Sequence, residues 1–209
     1  MCNRYANKVP FTAYRDKMQA VGRPLIKPAP NVAPNLEPRA NIAPTQNVPI
    51  LRNYENGVEL VELRWGLIPW FYKGSLKEWK LLTTNARSEN ITTTASYKTA
   101  YQKRRCLIPV SWFYEWTGEK GKKTKWQFSK PDNDWFCFAG VWDSASTAEG
   151  EIQSFALLTQ AAGPDMRPYH HRQPVILEPE HYATWLAGVP VNQLPESKKG
   201  QLFVDLTAE

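Results

Sequence analysis

Alternation of apolar and polar positions runs through most of this chain. From Val58 to Trp65, the apolar residues Val61, Leu63 and Trp65 alternate with Glu62 and Arg64, the period-two signature of a strand with one buried face. Val48 to Asn53 precedes it, with a turn predicted at Asn56-Gly57, so the two form a hairpin. Further strands are predicted over Cys106 to Trp116, Trp126 to Phe128, Trp135 to Trp142 and Ile152 to Thr159. The segment from Pro168 to Leu177 leads into a last strand, and Leu202 to Leu206 reads as an edge strand.

Helical spacing is rarer. Phe11 to Val21 places Tyr14, Met18 and Val21 on one face, with Gly22 as a stop. A second helix is predicted from Thr92 to about Arg104, and a short third from Pro179 to Leu186, closed by Gly188. Between Pro24 and Pro44, prolines recur too often for a helix or a central strand, which predicts an extended surface segment. Strands in meander order with few helices give an α+β class: one domain over residues 1–209, a largely antiparallel, barrel-like sheet with a few flanking helices.

Composition narrows the partners. With 42% hydrophobic and 22% charged residues the chain is globular, and its net charge of +6 suits an anionic partner. Cys2, Cys106 and Cys137 have no C-x-x-C spacing, and the inner two are expected to be buried small hydrophobes. Only His170, His171 and His181 could join them at a metal, so no metal site is predicted. No apolar run reaches membrane-spanning length and the start lacks a signal-peptide pattern. A reducing, cytoplasmic compartment is expected, which suits a free thiol.

Candidate chemistry begins at Met1-Cys2-Asn3-Arg4-Tyr5. If Met1 is removed, Cys2 carries a thiol and a free α-amine on one carbon, with reference pKa values of about 8.5 and about 7.7 to 8.0. Such a 1,2-aminothiol condenses with an aldehyde to a thiazolidine; alternatively, the amine serves as base for the thiol. Glu115 is the one carboxylate in the aromatic run Trp112 to Trp116, where desolvation is expected to raise its pKa and prepare a general acid. Asn85 and Arg87 lie in a polar stretch with no packing pattern, and Arg87 is a candidate phosphate ligand. Lys103, Arg104 and Arg105 read as a solvated helix end, and the lysines between Gly118 and Lys125 as a solubilising turn. Trp70, Phe71 and Tyr72 suit either a core or, beside Lys73, a base-stacking platform. His170, His171 and Arg172 form a polar cluster in a proline-bounded loop.

Taken together, Met1-Cys2-x-Arg4-Tyr5, Asn41-x-Ala43-Pro44-Thr45, Trp65-Gly66-Leu67-Ile68-Pro69, Asn85-Ala86-Arg87-Ser88-Glu89, Arg105-Cys106-Leu107-Ile108-Pro109, Tyr114-Glu115-Trp116, Phe138-Ala139-Gly140-Val141-Trp142 and His170-x-Arg172-x-Pro174 resemble the SOS response-associated peptidase family, in its order and over most of the chain. The resemblance implies a monomeric protein that shields abasic sites in single-stranded DNA by a thiazolidine crosslink, without cofactor, metal or membrane. In a bacterium it would be nucleoid-associated. It also implies loss of Met1, by self-processing or an aminopeptidase, and an associated lyase activity at abasic sites. Carried over, Cys2 is the nucleophile, Asn85 orients its amine, Glu115 is the acid-base group and His170 assists proton transfers. Arg4 and Arg87 would hold phosphates, Trp70 and Trp116 would stack on or wedge between bases, and Pro44 and Arg172 belong to the same DNA-binding face. Asn3 stands where the family commonly has glycine, Gln173 where it commonly has methionine, and His171 adjoins the expected histidine. The alternative is a thiol peptidase or amidase with Cys2 as N-terminal nucleophile.

Overall fold

The computed structural model describes residues 3–28 and 36–207. The chain opens with strand β1 (Tyr5–Asn7) and helix α1 (Phe11–Ala20). Tyr14 and Met18, one turn apart on α1, are fully buried. Gly22, at φ +70°, ends the helix: Arg23 N donates to Met18 O at 2.9 Å and Gly22 N to Gln19 O at 3.1 Å, the paired bonds of a Schellman motif.

The proline-rich segment supplies two edge strands, β2 (Leu25–Pro28) and β3 (Arg39–Ile42), in keeping with its exclusion from sheet centres. Strands β4 (Asn47–Tyr54) and β5 (Gly57–Trp65) form the predicted hairpin. Its two-residue turn is Glu55-Asn56, one position earlier than Asn56-Gly57, because Tyr54 pairs with Gly57. That register buries Val61, Leu63 and Trp65 together, and a one-residue slip would turn all three outward.

After a long loop come β6 (Asn85–Arg87) and α2 (Lys98–Lys103). The helix expected from Thr92 shrinks to that single piece. Thr93 and Thr94 turn their hydroxyls back onto Asn90 O, at 3.1 and 2.9 Å, and so stabilise a turn in its place. The strand predicted over Cys106 to Trp116 is two strands, β7 (Arg105–Val110) and β8 (Trp112–Thr117), which enter different sheets. Ser111 is the break: its N–H donates to Ala6 O at 2.8 Å and its hydroxyl accepts from Lys8 N at 2.9 Å. The remainder is β9 (Thr124–Ser129), β10 (Phe136–Thr147), β11 (Gly150–Ala161), β12 (Arg172–Pro174), β13 (Ile176–Leu177), α3 (Tyr182–Leu186) and the edge strand β14 (Phe203–Leu206).

Five strands close a barrel. Strand β5 pairs with β4, β4 with β7, β7 with β10 and β10 with β11, all antiparallel. Then β11 returns to β5 in parallel, Phe155 opposite Trp65. Closure leaves these strands no free lateral edge over the paired stretch. Gly140 admits the close β7 to β10 approach, since a Cβ there would lie 2.7 Å from Ile108 Cδ1 and 2.8 Å from Cys106 Sγ. Beyond Phe155, β11 carries β6 in parallel and β12 antiparallel. The fold is therefore α+β and mostly antiparallel, with parallel pairings at β2–β5, β5–β11 and β6–β11 that a simple meander would lack.

The second sheet, ordered β14-β9-β8-β1-β3, is joined to the barrel by an aromatic seam. Tyr5 of β1 meets Trp65 edge-on at 5.2 Å and Phe138 at 6.3 Å, while Phe113 of β8 meets Phe138 at 5.5 Å and stacks on Phe128 at 5.0 Å. Rings in these geometries add about 0.5–1.5 kcal/mol each to their area burial. Strand β1 is thus tied to both sheets. Cys106 and Cys137 are buried as expected, and no helix among the described residues is long and apolar enough to cross a membrane.

Candidate functional site

Strand β1 runs between β3 and β8, with Tyr5 opposite both Ile42 and Phe113, and Tyr114 N donates to Arg4 O at 3.0 Å. This pairing brings the beginning of the chain beside the end of β3 and beside the Tyr114-Glu115-Trp116 run. A pocket of about 410 Å³ opens there, lined by Asn3, Arg4, Pro44, Leu82, Thr84 and Trp116. Cys2, expected to be the nucleophile, lies outside the described residues, as does Met1.

Pro44 is presented by a strained turn. Thr45 has φ +74°, unusual for a β-branched residue, and its N–H donates to Trp65 O at 2.8 Å. Asn85 arrives from the barrel side through the β6–β11 pairing, opposite Leu157. Its amide nitrogen donates to Asn3 Oδ1 at 3.0 Å and to Thr84 Oγ1 at 3.1 Å. The Asn85 Oδ1 is buried and has no hydrogen bond among the described residues. Tyr97 donates to the Asn85 carbonyl at 3.4 Å, and burial pushes its hydroxyl pKa up to about 12, so it remains a donor throughout the neutral range.

Glu115 is 5% exposed, so strand alternation does not turn it to solvent. Trp116 N donates to its Oε1 at 3.3 Å. The neighbouring rings are themselves braced: Trp112 Nε1 donates to Tyr114 Oη at 2.6 Å, Lys125 Nζ sits 4.1 Å over the Tyr114 ring, and Trp116 tilts against Tyr114 at 6.3 Å. Trp126, opposite Glu115 across the β8–β9 ladder, packs on Tyr169 at 4.8 Å, and Phe128 meets the same ring at 5.4 Å. These contacts dock the His170 loop onto the second sheet.

His170 is half-buried and His171 exposed, with their rings stacked at 4.4 Å. The neighbouring His170, foremost, some loss of hydration, and the charges of Arg172 and Arg87 hold the His171 pKa below its ordinary value. His170 Nδ1 lies 2.9 Å from both the N–H and the carbonyl of Arg172. Arg172, expected at the DNA, has its terminal nitrogens occupied inside the protein: it grips Glu89 with contacts of 2.5 and 3.0 Å and donates to Thr159 O at 2.8 Å and Oγ1 at 3.0 Å. Arg87 is exposed on β6, opposite Thr159.

Trp70 is 49% exposed on the loop after β5, edge-on to Phe71 at 6.0 Å, and is not among the residues lining the pocket. Sequence reading missed Leu82, 90% exposed at the pocket rim, and Thr84. The available signal was Leu81-Leu82, an apolar pair with no periodic partner. Among the described residues no three His, Cys, Asp or Glu side chains converge as a metal set. A larger pocket of about 470 Å³, between Lys130, Leu177, Glu178 and Gln201, holds none of the expected residues.

Residues 1–203 match the family model described as SOS response associated peptidase (SRAP). Abasic site processing protein YoaM of Bacillus subtilis is 33% identical over 162 residues, 77% of this chain and 70% of that one; YoqW of the same organism is 33% identical over 151 residues, covering 71% and 66%. Abasic site processing protein HMCES of Gallus gallus is 29% identical over 64% of this chain and 47% of its own. A crystal structure from Bordetella bronchiseptica covers 100% of both chains at 26% identity, with a TM-score of 0.79. One from Bacteroides thetaiotaomicron, at 20% identity and a TM-score of 0.81 over 99% of this chain, shares the fold. With nearly its whole length matched in sequence and its barrel matched in structure, the chain belongs to the SOS response associated peptidase family.

Proposed function

We propose that this protein processes abasic sites in single-stranded DNA by capturing them covalently through Cys2. Relatives named abasic site processing protein support a family role at such sites. The observation that carries the reading is the pocket at the start of the chain, where Arg4, Pro44 and Trp116 gather around Asn3, next in sequence to Cys2. A cation and a flat aromatic ring beside a cleft suit a single strand, and the net charge of +6 draws a polyanion.

In this reading Met1 is first hydrolysed away to free the Cys2 amine. Glu115 donates a proton to the ring oxygen of the abasic sugar, opening it to the aldehyde. The amine adds to that carbon, and His170 and Glu115 move the protons that let water leave, giving an imine. The thiol then adds to the imine carbon and closes a five-membered thiazolidine, with one water lost overall. Asn85 Oδ1 is a buried acceptor suited to an amine hydrogen. Arg4 and Arg87 hold phosphates, while Trp116 and the exposed Trp70 stack on or wedge between bases.

The test mixes purified protein with a uracil-containing single strand pretreated with uracil glycosylase, followed by a denaturing gel and intact-mass measurement. The expected product has the mass of Met-less protein plus DNA less one water, and is absent with Cys2→Ala. No shifted band from protein with a proven Cys2 terminus would overturn the reading. The peptidase of the family's description would then take first place, with Cys2 acting in acyl transfer.

A further inference from the structure

The Arg172 guanidinium is too engaged to serve as a free phosphate ligand, and its partners point to another role. Its side chain bridges two segments. Glu89 sits on the turn directly after β6, the strand that carries Asn85 and Arg87, and Thr159 belongs to β11. Its backbone, paired to Ala161 of β11, meets the imidazole of His170.

That meeting has an uncommon property. His170 Nδ1 lies 2.9 Å from a donor, Arg172 N–H, and 2.9 Å from an acceptor, Arg172 C=O. With Nδ1 unprotonated, the N–H is its partner; with Nδ1 protonated, the carbonyl is. The ring therefore keeps a hydrogen bond at Nδ1 in either state without rotating, so a proton can be exchanged at Nε2 while the geometry holds.

We propose that Glu89 is a positioning residue: acting through Arg172, it holds the backbone cradle of His170 Nδ1 and ties the Asn85 strand to the His170 loop. The inference rests on reading His170 as a proton-transfer group. A charge-assisted, bidentate pair suits this task because it fixes direction as well as distance. The Arg172 side chain is 9% exposed and that of Glu89 52%, so Glu89 can be altered at little risk to the fold.

The experiment compares wild type, Glu89→Gln, Arg172→Lys and His170→Gln in the full chain. Glu89→Gln is expected to slow crosslinking at saturating abasic single strand by about tenfold to a hundredfold, the effect of a displaced group. Affinity for an intact single strand should stay within about twofold. In ¹⁵N histidine spectra, the His170 Nδ1 signal of wild type should mark a hydrogen-bonded nitrogen and shift toward a free imidazole in Glu89→Gln. Arg172→Lys, which keeps the charge and loses the fork, should fall between. Wild-type rate and unchanged His170 spectra in Glu89→Gln would overturn the proposal; so would a rate loss matched by an equal loss of DNA affinity. If wild type forms no crosslink, the reading of function falls, while the spectra still decide whether Glu89 holds the ring.

Discussion

The stacking role proposed for Trp116 rests on its being only partly covered. One side of its ring leans on Tyr114 at 6.3 Å and another lines the pocket. Trp116→Ala is expected to weaken binding of a short single strand by about 1–3 kcal/mol, the worth of one stacked base. Fluorescence anisotropy would measure it, and unchanged affinity would remove Trp116 from the DNA face. Glu89 gives a second prediction. The hydrogen bond from Arg172, foremost, holds its carboxyl below the ordinary value of 4.5. A depressed folded pKa adds stability that is fully present above the unfolded value and is lost as pH falls through the folded one. Melting temperature should therefore drop in acid more steeply in wild type than in Glu89→Gln, with the gap closing below the carboxylate range; parallel curves would refute the link.

At the scale of elements, the turn from β3 into β4 stores strain beside the site. Thr45 at φ +74° costs on the order of 1–3 kcal/mol, held there by its bond to Trp65 O and by the β4–β5 pairing behind it. Glycine adopts that conformation freely but loses about 0.5–1 kcal/mol to unfolded-state entropy. Thr45→Gly should raise stability by about 1 kcal/mol in urea denaturation. It should also leave Pro44 less firmly presented, which a slower crosslinking rate would report. A less stable variant would mean that the threonine contributes contacts outweighing the strain.

For the whole molecule, the net charge of +6 is expected to govern how the proposed single-stranded substrate is found. Arg4 and Arg87 are the two proposed phosphate ligands, so the logarithm of affinity for single-stranded DNA should fall with the logarithm of salt at a slope of about −1.4, which is about −0.7 for each of two phosphates. Replacing both arginines by alanine should flatten the slope toward zero. A wild-type slope several times steeper would reveal a wider footprint than these two side chains provide.

How much of this could be read in advance differs from residue to residue. Periodicity was enough for the α1 face at Tyr14 and Met18 and for the β4–β5 hairpin, and recurrent proline for keeping the segment after Pro24 out of the sheet centres, because each depends on neighbours close in the chain. Glu115 could be singled out as a carboxylate among aromatics, but alternation left its direction open until β8 and β9 covered it. The split at Ser111 was hidden, since a continuous apolar run looks the same whether it stays in one sheet or crosses between two. Arg172 and Arg87 look alike in sequence, each standing two residues after a candidate site residue, His170 and Asn85; the grip of Arg172 on Glu89 and the exposure of Arg87 separate them. By itself the sequence determined which residue types were available and which short elements would form, through local sterics and side-chain burial. Only the tertiary structure decided the barrel's parallel closure of β11 on β5, and with it the meeting of Asn3, Asn85 and Trp116. Contacts across that many residues are set by packing and register between strands, which no local pattern encodes.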